Sequence, residues 1–113
     1  MTKDVISFPD FQKLDLRVGK VVEAERVEDS TSLIKLQVDF GEDYGEKKII
    51  AGIAKWYKPQ QLKGKKFIFV ANLAPKQMMK EMSEGMILCA VIDGEAVSIP
   101  IVDDKIPQGT IVR

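Results

Sequence analysis

The sequence predicts an all-β fold, a small barrel of five strands, and three observations carry that prediction. Ile34, Leu36, Val38 and Phe40 alternate with Lys35, Gln37 and Asp39, the two-residue period of a strand with one buried face. Leu14 to Val27, LDLRVGKVVEAERV, alternates until Gly19 interrupts it and Val21-Val22 shifts the phase, the mark of a long, bent strand carrying a bulge. The third is order: three strands in succession, a one-turn helical connection, a strand, a long loop and another strand.

Each element follows from local chemistry. Phe8-Pro9-Asp10-Phe11 opens a short helix with proline in its first turn, and its two phenylalanines are expected to pack down on the body. The bent strand can serve two sides of a barrel. Glu28 to Ser32 is a polar turn, the alternating strand follows, and Gly41 and Gly45 mark the next turn. Lys47 to Ile53 resumes a strand. Pro59-Gln60-Gln61-Leu62 forms a single helical turn stopped at Gly64. Trp56 and Tyr57, just before it, are placed either to cap the core or to stack on bases, with core the favoured reading. Phe67 to Asn72 is a strand, Leu73 to Gly85 a long loop, and Met86 to Ile92 a strand apolar on both faces. A turn at Asp93-Gly94, a strand from Ala96 to Val102 and a turn at Pro107 to Gly109 complete the chain. This order fits a five-stranded OB-fold barrel with a short helix between strands 3 and 4, a short N-terminal helix and extra C-terminal strands.

Composition removes several functions. With 113 residues, residues 1–113 are expected to form a single domain. The chain has no histidine, so the commonest general acid/base and the commonest transition-metal ligand are missing. No nucleotide-loop, metalloprotease or nucleophile-elbow pattern occurs, so no catalytic residue, metal site or cofactor is expected. Asp103-Asp104 reads as a solvated turn, and Cys89, the one cysteine, as a small buried hydrophobe. No apolar run reaches membrane length and the N-terminus lacks the blocks of a signal peptide, so a cytoplasmic location and no membrane partner are expected.

Charge is segregated. Lys47 to Lys80 holds nine lysines and no acid, whereas the flanks balance at about −5 and −4 and bring the chain to zero. On the barrel this run covers strand 3, the helical connection, strand 4 and much of the following loop, so its lysines are expected on neighbouring parts of one surface, suited to phosphates. The outward residues of strand 2 are Lys35, Gln37 and Asp39, with no aromatic face for stacking. That favours a folded RNA gripped by shape and backbone over capture of unpaired bases.

Five motifs in order carry a family resemblance over about residues 8 to 112. They are Asp10-Phe11-x-Lys13-Leu14-Asp15-Leu16-Arg17-Val18-Gly19-Lys20-Val21, Lys48-Ile49-Ile50-Ala51-Gly52-Ile53 with Tyr57-x-Pro59, Leu62-x-Gly64-Lys65, Asn72-Leu73-x-Pro75 and Ser83-x-Gly85-Met86. Together they resemble the tRNA-binding OB domain found in bacterial methionyl-tRNA synthetases, in free-standing structure-specific tRNA-binding proteins and in eukaryotic synthetase cofactors. The resemblance implies a tRNA contact region at Asn72, Ser83 and Met86, helped by Lys35, Lys48 and Lys76. Lys80 joins them as a loop lysine, standing where the family commonly has glycine.

It further implies a non-catalytic protein that binds tRNA, with methionyl-tRNA synthetase as a possible partner to which it would be an accessory (beta) subunit or detached domain. Free-standing members of this length resemble homodimers that pair through the N-terminal helix and a C-terminal extension, here about residues 93–113. Ile99, Ile101, Ile106 and Ile111 are apolar enough for that contact. The family's secretion-chaperone branch, dimers that bind unfolded peptides, is the alternative. Pro75-Lys76-Gln77 and Met82-Ser83-Glu84 lean that way; Ala51-Gly52-Ile53 and Gly85-Met86 lean to tRNA.

Overall fold

The computed structural model describes residues 1–94 and 96–113. It is the expected all-β barrel. Strands β1 (Leu16–Arg26), β2 (Ile34–Asp39) and β3 (Glu46–Ala51) form an antiparallel meander, and β4 (Lys66–Val70) returns to β1. After β4 come a hairpin of β5 (Lys76–Met78) and β6 (Glu81–Ser83), then β7 (Met86–Ile87) beside β4. The sheet order is β3-β2-β1-β4-β7, nearly closed into a barrel. A second hairpin, β8 (Ala90–Ile92) with β9 (Ala96–Ser98), follows, and β10 (Ile111–Val112) pairs with the start of β1. Helix α1 is Phe8–Phe11 and α2 is Pro59–Leu62, the latter between β3 and β4 as expected.

The long strand works because its two halves face different partners. Leu16 to Lys20 pairs with β4, and Lys20 to Arg26 pairs with β2. The register shifts between Val21 and Glu23, where the sequence changes phase, so the bulge lies just beyond Gly19. Gly19 itself answers a packing demand: a Cβ there would lie 2.5 Å from Val38 Cγ1, 2.8 Å from Phe40 Cε1 and 2.9 Å from Phe69 Cδ1. The core behind it holds Ile34, Leu36, Val38 and Ile49, with Phe40 and Phe69 edge to face at 5.3 Å. The strict alternation of β2 is the buried face of this core.

Four expectations change. Residues 73–85 are not an irregular loop, because β5 and β6 pair across a two-residue turn in which Met79 takes φ +57°. The apolar run from Met86 to Ile92 is not one buried strand. It breaks at Leu88-Cys89, and Val91 and Ile92 in β8 stay exposed because their partner is the small β9 hairpin rather than the barrel. Phe8 does not pack down on the body: it is exposed and stacks on Phe11 at 6.2 Å, and α1 buries no residue. Ile99 is buried in the core, which removes it from any exposed apolar contact, while Ile101 and Ile111 remain exposed. Within the extension expected at 93–113, Glu95 lies outside the described residues.

Tyr57 follows its favoured reading. Its ring packs on the core and its hydroxyl accepts the Ile99 N–H at 3.0 Å. Cys89 is half-buried against the same core, and burial pushes its thiol up from the ordinary value. Asp103 closes a turn by accepting the Lys105 N–H at 3.0 Å, with its carboxylate in solvent. Among the described residues no helix is long and apolar enough to cross a membrane.

Candidate nucleic-acid interface

The β2–β3 hairpin offers an outer face because its alternate residues are spent on the core. Lys35 and Gln37 alternate outward on β2, Gln37 pairs across to Lys48 on β3, and Glu23, Glu25, Lys35, Gln37 and Lys48 line an open cleft of about 390 Å³. The β5–β6 hairpin lies against this face and is held by three attachments. The Ser83 hydroxyl accepts the Ile50 N–H at 2.9 Å and donates to the Gly85 carbonyl at 3.0 Å. Glu84 accepts the Lys48 N–H at 2.9 Å and donates its own N–H to the Lys48 carbonyl at 2.8 Å. Glu81 spans two lysines, Oε1 accepting from Lys48 Nζ at 2.9 Å and Oε2 from Lys35 Nζ at 3.3 Å. Gly85 keeps the approach close, since a Cβ there would lie 2.8 Å from the Val70 carbonyl oxygen.

These contacts set the electrostatics. Lys35 also pairs with Glu25 at 3.1 Å, and the carboxylates of Glu25 and then Glu81 raise its pKa. Lys48 and then Lys35 hold the Glu81 carboxyl below its usual range. Three carboxylates, Glu23, Glu25 and Glu81, set against three ammonium groups, Lys35, Lys48 and Lys63, therefore leave the cleft close to neutral.

The nine lysines of the basic run divide into three uses. Lys66 is buried, at 8% exposure, and donates to the carbonyls of Asp104 at 2.7 Å and Ile106 at 2.9 Å, so it anchors the C-terminal segment. Lys47 donates to the Ala71 carbonyl at 2.9 Å with its ammonium 4.8 Å from the Tyr44 ring centre. Lys48 and Lys63 pair with Glu81 and Glu23. Lys55, Lys58, Lys65, Lys76 and Lys80 are exposed and, among the described residues, pair with no carboxylate. Convergence is thus partial: Lys35, Lys48, Lys76 and Lys80 gather around the two hairpins, while Lys63, Lys65 and Lys66 sit at the start of β4 beside the β1 bulge.

The remaining site residues differ in what they offer. Met86 is half-exposed, at 52%, and with Ile50, Leu73, Lys76 and Met78 lines an apolar groove of about 410 Å³. Ser83, at 3% exposure, has its hydroxyl fully engaged inside the molecule. Asn72 faces the joint between α1 and β1, where its carbonyl oxygen accepts the Asp15 N–H at 2.8 Å and its amide donates to the Lys13 carbonyl at 2.7 Å. It stands apart from the lysine cluster. Glu81 was not singled out by sequence reasoning, although the one available signal was plain: it is the first acid after the lysine run.

Residues 16–111 match the family model described as "Putative tRNA binding domain". The chain belongs to the tRNA-binding-domain family. Curated relatives of this domain include the methionine–tRNA ligases of Methanothrix thermoacetophila, 47% identical over 98% of this chain, and Clostridium tetani, 44% identical over 98%. The chain spans only 16% and 17% of those two ligases. Among solved structures, a MetRS-related protein from Pyrococcus horikoshii superposes with TM-score 0.92 at 38% identity, covering 98% of this chain and all of that one. The chaperone CsaA of Bacillus anthracis superposes at 0.86 with 34% identity, covering 97% of this chain and all of that one. A tRNA-binding domain of this family is a binding module related both to methionyl-tRNA synthetases and to CsaA-like proteins.

Proposed function

We propose that this chain is a non-catalytic module that grips folded tRNA by shape and backbone charge, working beside a methionyl-tRNA synthetase as an accessory (beta) subunit or detached domain. One observation carries the reading: Lys76 and Lys80, which pair with no carboxylate among the described residues, stand on a hairpin whose Glu81 is fastened to Lys35 and Lys48, so four cationic side chains lie on or beside that hairpin. Lysine without an aromatic platform suits phosphates on a folded surface. In this reading Lys35, Lys48, Lys76 and Lys80 meet phosphates, Met86 lies against a sugar or base edge, and Ser83 and Asn72 shape the site through the backbone they hold. A second weak grip raises the effective concentration of tRNA at the synthetase without new chemistry. The site of action is the cytoplasm, where translation runs.

The protein acts as a homodimer, with the exposed Phe8, Leu14, Ile101 and Ile111 as the apolar surface to cover. A second reading, a dimeric chaperone for unfolded peptides, is favoured by the apolar groove at Ile50 and Met86 and by its neighbour, a cleft of about 330 Å³ at Trp56, Cys89 and Val91. Salt separates the two. Filter binding of folded tRNA across a range of salt should lose roughly 0.7 to 0.9 log units of affinity per log unit of salt for each phosphate met. A flat profile, or equal binding of an unfolded peptide, would favour the chaperone.

A further inference from the structure

We infer that Glu81 is an internal phosphate mimic that occupies the seat between Lys35 and Lys48 and thereby sets how strongly, and for which anions, this face binds. The inference deepens the reading above and rests on it for the identity of the ligand. Its ground is geometry: each carboxylate oxygen takes one ammonium group, Oε1 from Lys48 at 2.9 Å and Oε2 from Lys35 at 3.3 Å. A phosphodiester offers two unesterified oxygens with comparable spacing and the same charge, so it fits the same pair of donors. Glu81 is also fixed in place. It pairs with Met78 at the closed end of the β5–β6 hairpin, and the Ser83 and Glu84 attachments hold that hairpin against β3.

Three consequences follow for binding. An anion reaching Lys35 and Lys48 must displace a carboxylate already there, so a lone or poorly placed phosphate gains little. A phosphate delivered by a ligand that also meets Lys76 and Lys80 is held at the seat by those neighbours, and the exchange becomes favourable. The displaced carboxylate sits one residue from Lys80, and because Ser83 and Glu84 still fasten the hairpin, the Glu81 side chain swings away while the lysines stay in place. Glu81 thus makes the face selective by competition, without touching the ligand.

The test is a double-mutant cycle read with two probes, a folded tRNA transcript and heparin, a polyanion with no RNA fold. Glu81→Gln keeps the side-chain shape and removes the charge. It should tighten heparin by about three- to tenfold at low salt and tRNA by less, and steepen the salt dependence of both. Glu81→Ala must act in the same direction, with near-ultraviolet circular dichroism reporting that the fold is kept. In a Lys35→Gln/Lys48→Gln background, Glu81→Gln should give a smaller gain, the same for both probes, since only general charge repulsion is then relieved. Unchanged or weaker binding of both probes overturns the inference, as does an equal gain for heparin and tRNA or a gain undiminished without the two lysines. Failure of the function reading looks different: heparin responds as described while the unaltered protein ignores tRNA.

Discussion

Replacing Lys76 and Lys80 together by glutamine tests where the RNA lies. Both ammonium groups are exposed, and neither makes a hydrogen bond or ion pair among the described residues, so the folded state loses almost nothing. The urea midpoint should hold, because substitutions at such surface positions stay within about 0.5 kcal/mol. Binding should not. Two lost phosphate contacts flatten the plot of log affinity against log salt by roughly 1.4 to 1.8, which at about 0.1 M salt is a roughly 25- to 60-fold loss relative to a 1 M reference. Glutamate at both positions goes further, since it repels the phosphates it replaces. The assay is filter binding of one folded tRNA over about a tenfold range of salt, with gel filtration alongside. Affinity within about twofold of the parent and an unchanged slope would refute the assignment of the hairpin lysines.

Other expectations separate structural from ligand-facing groups. Lys66→Met removes the donor to two carbonyls at 2.7 and 2.9 Å and should cost about 1–3 kcal/mol in urea unfolding while leaving the tRNA salt slope unchanged. Gly19→Ala forces a Cβ to within 2.5–2.9 Å of three core side chains, and a loss of about 1–3 kcal/mol is expected in the same assay. Acid stability should depend on Asp15, whose carboxyl is held low by the Arg17 guanidinium and then by the Tyr44 hydroxyl. A folded-state pKa below the unfolded value of about 3.9 means the stabilisation is complete above that pH and fades as pH falls through the folded value. Stability should therefore be level at neutral pH and drop below about pH 4, and Asp15→Asn should make the drop shallower in an acid series of urea midpoints.

The barrel was legible wherever one face of a strand is buried. β2 alternates because its inner residues line the core, and the phase change at Val21 betrays a strand that changes partners. The β5–β6 hairpin was not legible, because its tight turn has Met79 at positive φ where sequence reading looks for glycine or asparagine. Nor could composition sort the lysines. Lys66 and Lys65 are neighbours of one type, yet one is buried against carbonyls some forty residues later and the other faces water. Their difference is tertiary, set by the return of the 103–107 segment. The candidate site was half readable: Lys76 and Lys80 make no ion pair among the described residues, but the Glu81 carboxylate that bridges Lys35 and Lys48 reaches them from a hairpin far along the chain.

The barrel is fastened at its β3 edge by side chains more than by a backbone ladder, through Ser83 on the Ile50 N–H and Glu84 on the Lys48 N–H. A seam stitched in this way is protective as well as positional. Were the hairpin to lift, residues 48–50 would present unpaired amides along a free strand edge, a template on which a second chain could lay its own strand. Ser83 and Glu84 thus serve as guards against misassembly.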